Sequence, residues 1–188
     1  MRPSLLLLSF VVAATLAVCG GGSSTASGAS ASATDSASAS SWGVRARKVQ
    51  FVAADGVEIT GRLWANGDVA VILAHGFSEY TAQDDWLPFA PALAQRGYAV
   101  LTFNFRGFCN GRGCSEGPSE LGKNWRDAMA AVEFMETRGA KKIFLIGASM
   151  GGLAVLRAAR MPEVDVAGVV SLSTPQFPSI TSRLRVLS

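Results

Sequence analysis

The chain has 188 residues, 49% of them hydrophobic, enough for one domain with a sizeable core. Its formal charge is only +3 and no basic run is interleaved with aromatics, which argues against a nucleic-acid partner. With one histidine and no cysteine cluster, a metal site is not expected, and no pattern calls for a cofactor.

Met1 to Val18 reads as an export signal: Arg2 gives the positive start, and Leu5 to Val18 is apolar except for Ser9 and Thr15. That run is too short to span a bilayer comfortably and fits a signal-peptide core. Leu16-Ala17-Val18-Cys19 resembles the lipobox of bacterial lipoproteins, in which the cysteine is lipidated and becomes the mature N-terminus. It departs from that pattern at Val18, where a small residue is usual. The resemblance implies a lipid anchor at Cys19 on the outer face of a bacterial cell membrane. Ordinary cleavage with secretion, or an uncleaved signal anchor, are the alternatives. Residues 20–41 are almost entirely Ser, Ala, Gly and Thr, have nothing to bury, and read as a disordered tether. The folded domain is expected over 42–188.

Val49, Phe51 and Ala53 alternate, as do Val57, Ile59 and Gly61, with Asp55-Gly56 between them, which predicts a β-hairpin. Val69 to Ala74 is a continuous apolar run, typical of a strand buried on both faces, and it ends in His75-Gly76-Phe77. Asp84 or Asp85 can cap a helix through about Arg96, with Leu87, Ala90, Leu93 and Ala94 inward and Gly97 as its stop. A strand over Tyr98–Phe103 and a loop over Asn104–Gly117 follow. A second helix is expected from Ser119 toward Arg138, with Leu121, Trp125, Met129 and Val132 at helical spacing. Val164 to Leu172 reads as the last strand.

Between them lies the stretch that carries the chemistry, from Lys141 to Leu156. Its apolar run is too short for a helix and marks a buried strand, and Leu153, Leu156 and Ala159 then take helical spacing toward Met161-Pro162. A strand that turns into a helix within Gly147-Ala148-Ser149-Met150-Gly151 must bend sharply. Gly147 and Gly151 leave room for the bend, and Ser149 is pushed out at the carboxyl end of the strand. This is the G-x-S-x-G nucleophile elbow in its strand-turn-helix setting. Strands alternating with helices imply an α/β fold with a parallel sheet wrapped on both faces, whose ligands bind at the carboxyl ends of the strands.

With His75-Gly76-Phe77, Phe105-Arg106-Gly107 and the Ser149 elbow in this order, the chain resembles the α/β-hydrolase family over about Val49 to Leu172. The resemblance implies an α/β-hydrolase fold and the roles of a serine esterase, lipase or peptidase. Ser149 would attack a carbonyl carbon, and the backbone N–H groups of Phe77 and Met150 would form the oxyanion hole. A serine at the elbow excludes the branch of the family that uses an aspartate there. The partner would be a small-molecule ester or peptide. His75 and Gly76 belong to the structural motif beside the oxyanion hole, since the catalytic histidine of the family lies far downstream. Arg106 is expected to pin its loop rather than touch substrate. For Cys109 and Cys114, in a loop at the same edge, a disulfide and two free thiols are both open.

No histidine follows Ser149, and the only carboxylates after it, Glu163 and Asp165, precede the last strand. The expectation is therefore that the last two strands of the family, with acid and histidine, are absent from these 188 residues, and that the polypeptide is inactive as written. A binding protein that keeps the fold without catalysis, or a non-functional gene fragment, are the alternatives.

Overall fold

The computed structural model describes residues 43–78, 82–110 and 112–174. The export signal, Cys19, the tether and the segment after Thr174 lie outside the described residues. The expected hairpin is present: β1 (Ala46–Val52) and β2 (Glu58–Trp64) pair antiparallel, with Phe51 opposite Ile59 and the turn closed by Gly56 N–H to Ala53 O at 2.8 Å.

β3 (Val69–Ala74) is followed by a short 3-10 turn (Ala82–Trp86) and α1 (Ala90–Gln95). β4 (Ala99–Phe103) leads into a small hairpin, β5 (Cys109–Asn110) and β6 (Gly113–Cys114). Then come α2 (Asn124–Glu136), β7 (Lys142–Ala148), α3 (Met150–Ala158) and β8 (Gly168–Leu172).

The main sheet has the order β1-β2-β4-β3-β7-β8, with β4, β3, β7 and β8 mutually parallel. Its inner strands explain the unbroken apolar runs. Val71, Leu73 and Val100 point to the α1 face with Trp64, while Ala70, Ile72, Leu101 and Leu145 point to the opposite face with α2 and α3. Ala74 stands level with Phe103 on one side and Gly147 on the other, so the three chains leave the sheet at one edge. Among the described residues β8 pairs only with β7, and Val170 and Leu172 on it are exposed.

Three local expectations are corrected. The helix predicted from Asp84 to Arg96 is a 3-10 turn and then α1, because Pro88 and Pro91 cannot continue a helix from its interior. Phe89, and neither aspartate, stands at the start of α1. The helix predicted from Ser119 begins only at Asn124; Leu121 is exposed, and the face turned inward carries Asp127, Ala128, Ala131 and Met135. The helix expected after the elbow is present as α3, which buries Met150, Gly151, Gly152, Ala154, Val155 and Ala158 and leaves Leu153 and Leu156 half-buried. The last strand is shorter than Val164–Leu172, starting at Gly168, with the Ala167 N–H already bonded to Ile143 O at 2.8 Å.

Candidate active site

Ser149 sits between β7 and α3 with φ 47° and ψ −111°, a conformation that L side chains avoid. Three contacts hold it there. Its N–H donates to Leu172 O at 2.8 Å, its carbonyl accepts from Leu153 N–H at 3.1 Å, and Thr174 Oγ1 reaches that carbonyl at 3.4 Å. The strain has a chemical result. A serine at a helix N-cap normally folds its hydroxyl back onto the helix amides, but Ser149 makes no such bond and its side chain is exposed. The hydroxyl is presented outward instead.

The elbow can be this tight only with glycines around it. A side chain at Gly151 would strike the carbonyls of Ala74 and His75, and one at Gly147 would strike the Gly151 backbone. The same approach brings the loop after β3 against the serine: a Cβ on Gly76 would lie 3.7 Å from Ser149 Cβ. Phe77 follows immediately, and Met150 opens α3, where the first backbone N–H groups have no partner within the helix. The positive end of α3 thus faces the serine.

His75 is fully buried on the same loop, and both its ring nitrogens are occupied. Phe105 N–H donates to Nε2 at 3.0 Å, which leaves Nδ1 to carry the proton and donate to Gly76 O at 2.5 Å. Burial pushes its pKa from the usual 6.5 down to about 4, although the Gly76 hydrogen bond and the charge of Asp85 pull the other way. A neutral ring with both nitrogens engaged has none left for a serine hydroxyl. Glu163 and Asp165 precede β8, at the sheet edge opposite Ser149.

Arg106 makes the expected pin. Its Nε and Nη2 reach Asp127 on α2 at 2.9 and 2.6 Å, and its backbone N–H adds a bond of 2.9 Å. Nη1 and Nη2 reach Asp55 in the β1–β2 turn at 2.8 and 3.0 Å. These hydrogen bonds hold Asp55 down at about 2, while burial pushes Asp127 above the usual carboxylate range against the pull of Arg106. Asp55 was read from sequence only as a turn residue, and Asp127 was not singled out. The one available signal was Asp127 among the alanines, Val132 and Met135 of the inner face of α2.

Cys109 and Cys114 are joined in a disulfide across the β5–β6 hairpin. Asn104 and Ser115 beneath it form a buried polar network with β2: Ser115 Oγ donates to Asn104 O at 2.6 Å and accepts from Thr60 N–H at 2.9 Å.

Residues 65–184 match the family model of serine aminopeptidases, S33. Bifunctional epoxide hydrolase 2 of Sus scrofa is 34% identical over 112 residues, 58% of this chain and 19% of that protein. Epoxide hydrolase A of Mycobacterium tuberculosis is 33% identical over 114 residues, 60% of this chain and 34% of its own length. The chain thus spans well under half the length of these curated relatives. Among solved structures, an esterase of Pyrococcus furiosus superposes with a TM-score of 0.60 at 28% identity, covering 71% of this chain and 54% of that one. A lidless α/β serine hydrolase of Xanthomonas campestris gives 0.56 at 25% identity, covering 70% and 62%.

Proposed function

The chain belongs to the serine aminopeptidase S33 family of α/β-hydrolases, and from that premise we propose a serine hydrolase that cleaves carboxylic esters through an acyl-Ser149 intermediate. One observation carries the reading: the strained Ser149 spends no hydroxyl hydrogen bond on capping α3 and stands exposed at the sheet edge. Its Oγ would attack the carbonyl carbon, and the oxyanion would be met by the N–H groups of Met150 and Phe77. Donors of this kind are worth on the order of 3–4 kcal/mol each in the transition state. Peptide bonds are the second substrate class that the same chemistry reaches.

The epoxide hydrolases among the relatives raise ring opening as a rival, and the nucleophile decides against it. A serine oxygen that opened an epoxide would leave an ether, which water does not cleave at neutral pH. An acyl-serine is an ester, which water does cleave. The serine therefore fits carbonyl substrates.

Acylation needs a base to take the serine proton. The only histidine of these 188 residues is the engaged His75, so the polypeptide as written is proposed to turn over negligibly. Ester hydrolysis at an ordinary enzymatic rate that is lost in Ser149→Ala would overturn that statement. The family reading is tested by reading the DNA downstream of the Ser188 codon in all frames. An Asp and then a His in strand-end loops would complete the triad, and the longer chain must then hydrolyse esters in a Ser149-dependent way. Unrelated sequence there would favour a binding protein that uses the fold without catalysis, or a non-functional gene fragment.

The placement outside the cell is likewise proposed, on the apolar segment before Cys19. Mass spectrometry of the N-terminus distinguishes a lipidated Cys19 in the membrane fraction from a secreted product.

A further inference from the structure

The ring of Phe108 is buried, yet the residue lies in no strand. It stands edge-on to two rings of the loop after β3, with centroids 5.2 Å from His75 and 5.5 Å from Phe77. Phe77 itself is 61% exposed, and Phe108 is its one ring partner among the described residues. The loop beside Ser149 therefore leans on Phe108.

The Phe108 backbone is held at both ends: its N–H donates to Phe105 O at 3.0 Å and its carbonyl accepts from the Ser115 N–H at 3.0 Å. The β6 arm is tied to the body of the domain: Thr60 Oγ1 donates to Cys114 O at 2.8 Å, and Asn104 Nδ2 donates to Gly113 O at 3.0 Å. The β5 arm beyond Phe108 has two residues, and a hairpin this short is not stable on its ladder alone. The covalent link from Cys109 to Cys114 adds to the Ser115–Phe108 bond, one residue further on, in fastening this arm to the anchored one. Both cysteines are exposed, open to attack by a thiolate.

We propose that the Cys109–Cys114 disulfide is a positioning device for the loop carrying the Phe77 N–H, acting through Phe108, and that a dithiol reductant releases that loop. The inference rests on reading Phe77 as an oxyanion donor. In the reducing step one thiolate of the dithiol attacks a cysteine sulfur, and its second thiol resolves the mixed disulfide. The protein S–S bond breaks, two electrons and two protons pass to Cys109 and Cys114, and the reductant leaves as its own disulfide.

The sole histidine of the chain is the reporter, because Phe108 covers its ring. Protein labelled with 15N-histidine is titrated by NMR with the disulfide intact, after dithiothreitol, and as Phe108→Ala. The intact form is expected to titrate near 4. The reduced form and the variant are expected to move upward by about one unit or more as water reaches the ring. An unchanged midpoint on full reduction overturns the proposal, as does a Phe108→Ala variant that titrates like the parent. Global unfolding on reduction, seen as loss of far-ultraviolet circular dichroism, also overturns it, since the device is local. None of these readouts needs turnover, so a failure of the catalytic reading is distinguishable from a failure of this one.

Discussion

His75 and Phe105 are joined by a hydrogen bond from the Phe105 amide to Nε2 at 3.0 Å, which ties the loop after β3 to the loop after β4. The bond exists only while the imidazole is neutral, because a protonated ring has no acceptor. Its pKa of about 4 in the fold stands against the ordinary 6.5. The folded value is depressed, so this contribution is fully present above pH 6.5 and is lost as pH falls toward 4. The loss amounts to about 3 kcal/mol across that window. Urea unfolding at pH 7.5, 5.5 and 4.5 checks it, and a flat stability profile across those three would refute it. Asp55, held at about 2, acts in a separate window, losing its contribution only as pH falls below its ordinary 3.8.

The Arg106 cluster predicts an unequal pair of losses. Asp127→Ala leaves the buried guanidinium without its main partner and is expected to cost roughly 3–5 kcal/mol. Asp55→Asn is expected to cost less, below about 2 kcal/mol, because the Asp55 side chain is 21% exposed and water can replace it. Equal destabilisation of the two in chemical denaturation would contradict the assignment.

Glycine substitutions separate close approach from simple chain flexibility. Gly151→Ala drives a methyl group into the carbonyls of Ala74 and His75 and is expected to cost about 1–3 kcal/mol or more. Gly122→Ala meets open space and is expected to change stability by no more than about 0.5 kcal/mol. Thermal melts of the two variants side by side provide the check.

Ser149→Gly tests whether strain is stored at the elbow. Relief of the φ 47° conformation should offset the added entropy of the unfolded chain, leaving the variant about 1 kcal/mol more stable than the parent. Ser149→Ala keeps the strain and is expected to match the parent within about 0.5 kcal/mol. A Ser149→Gly variant less stable than Ser149→Ala would show that the conformation is not strained.

The six strands of the main sheet and the elbow were legible in the sequence because their signals are local. A buried parallel strand must be apolar on both faces, and a strand that turns into a helix around Ser149 must have glycine where backbones touch. The helix limits were less legible, since the capping signal of Asp84 and the breaking signal of Pro88 and Pro91 compete within a few residues. The inner face of α2 was read only in part, with Val132 buried and Met129 packed against the core but Asp127 unforeseen, for a different reason. Asp127 looks solvent-facing until its partner is known, and that partner lies 21 residues away.

The sequence by itself determined the fold class and the sharp turn that exposes Ser149, because burial pattern and backbone sterics act between near neighbours. Only the tertiary structure decided which partners engage His75 and Arg106, and that the two cysteines are bonded. Whether a ring nitrogen is free, a guanidinium buried, or two sulfurs within bonding reach depends on groups far apart in the chain. The hydrogen bonds that engage them form only when the loops at one edge of the sheet are brought together.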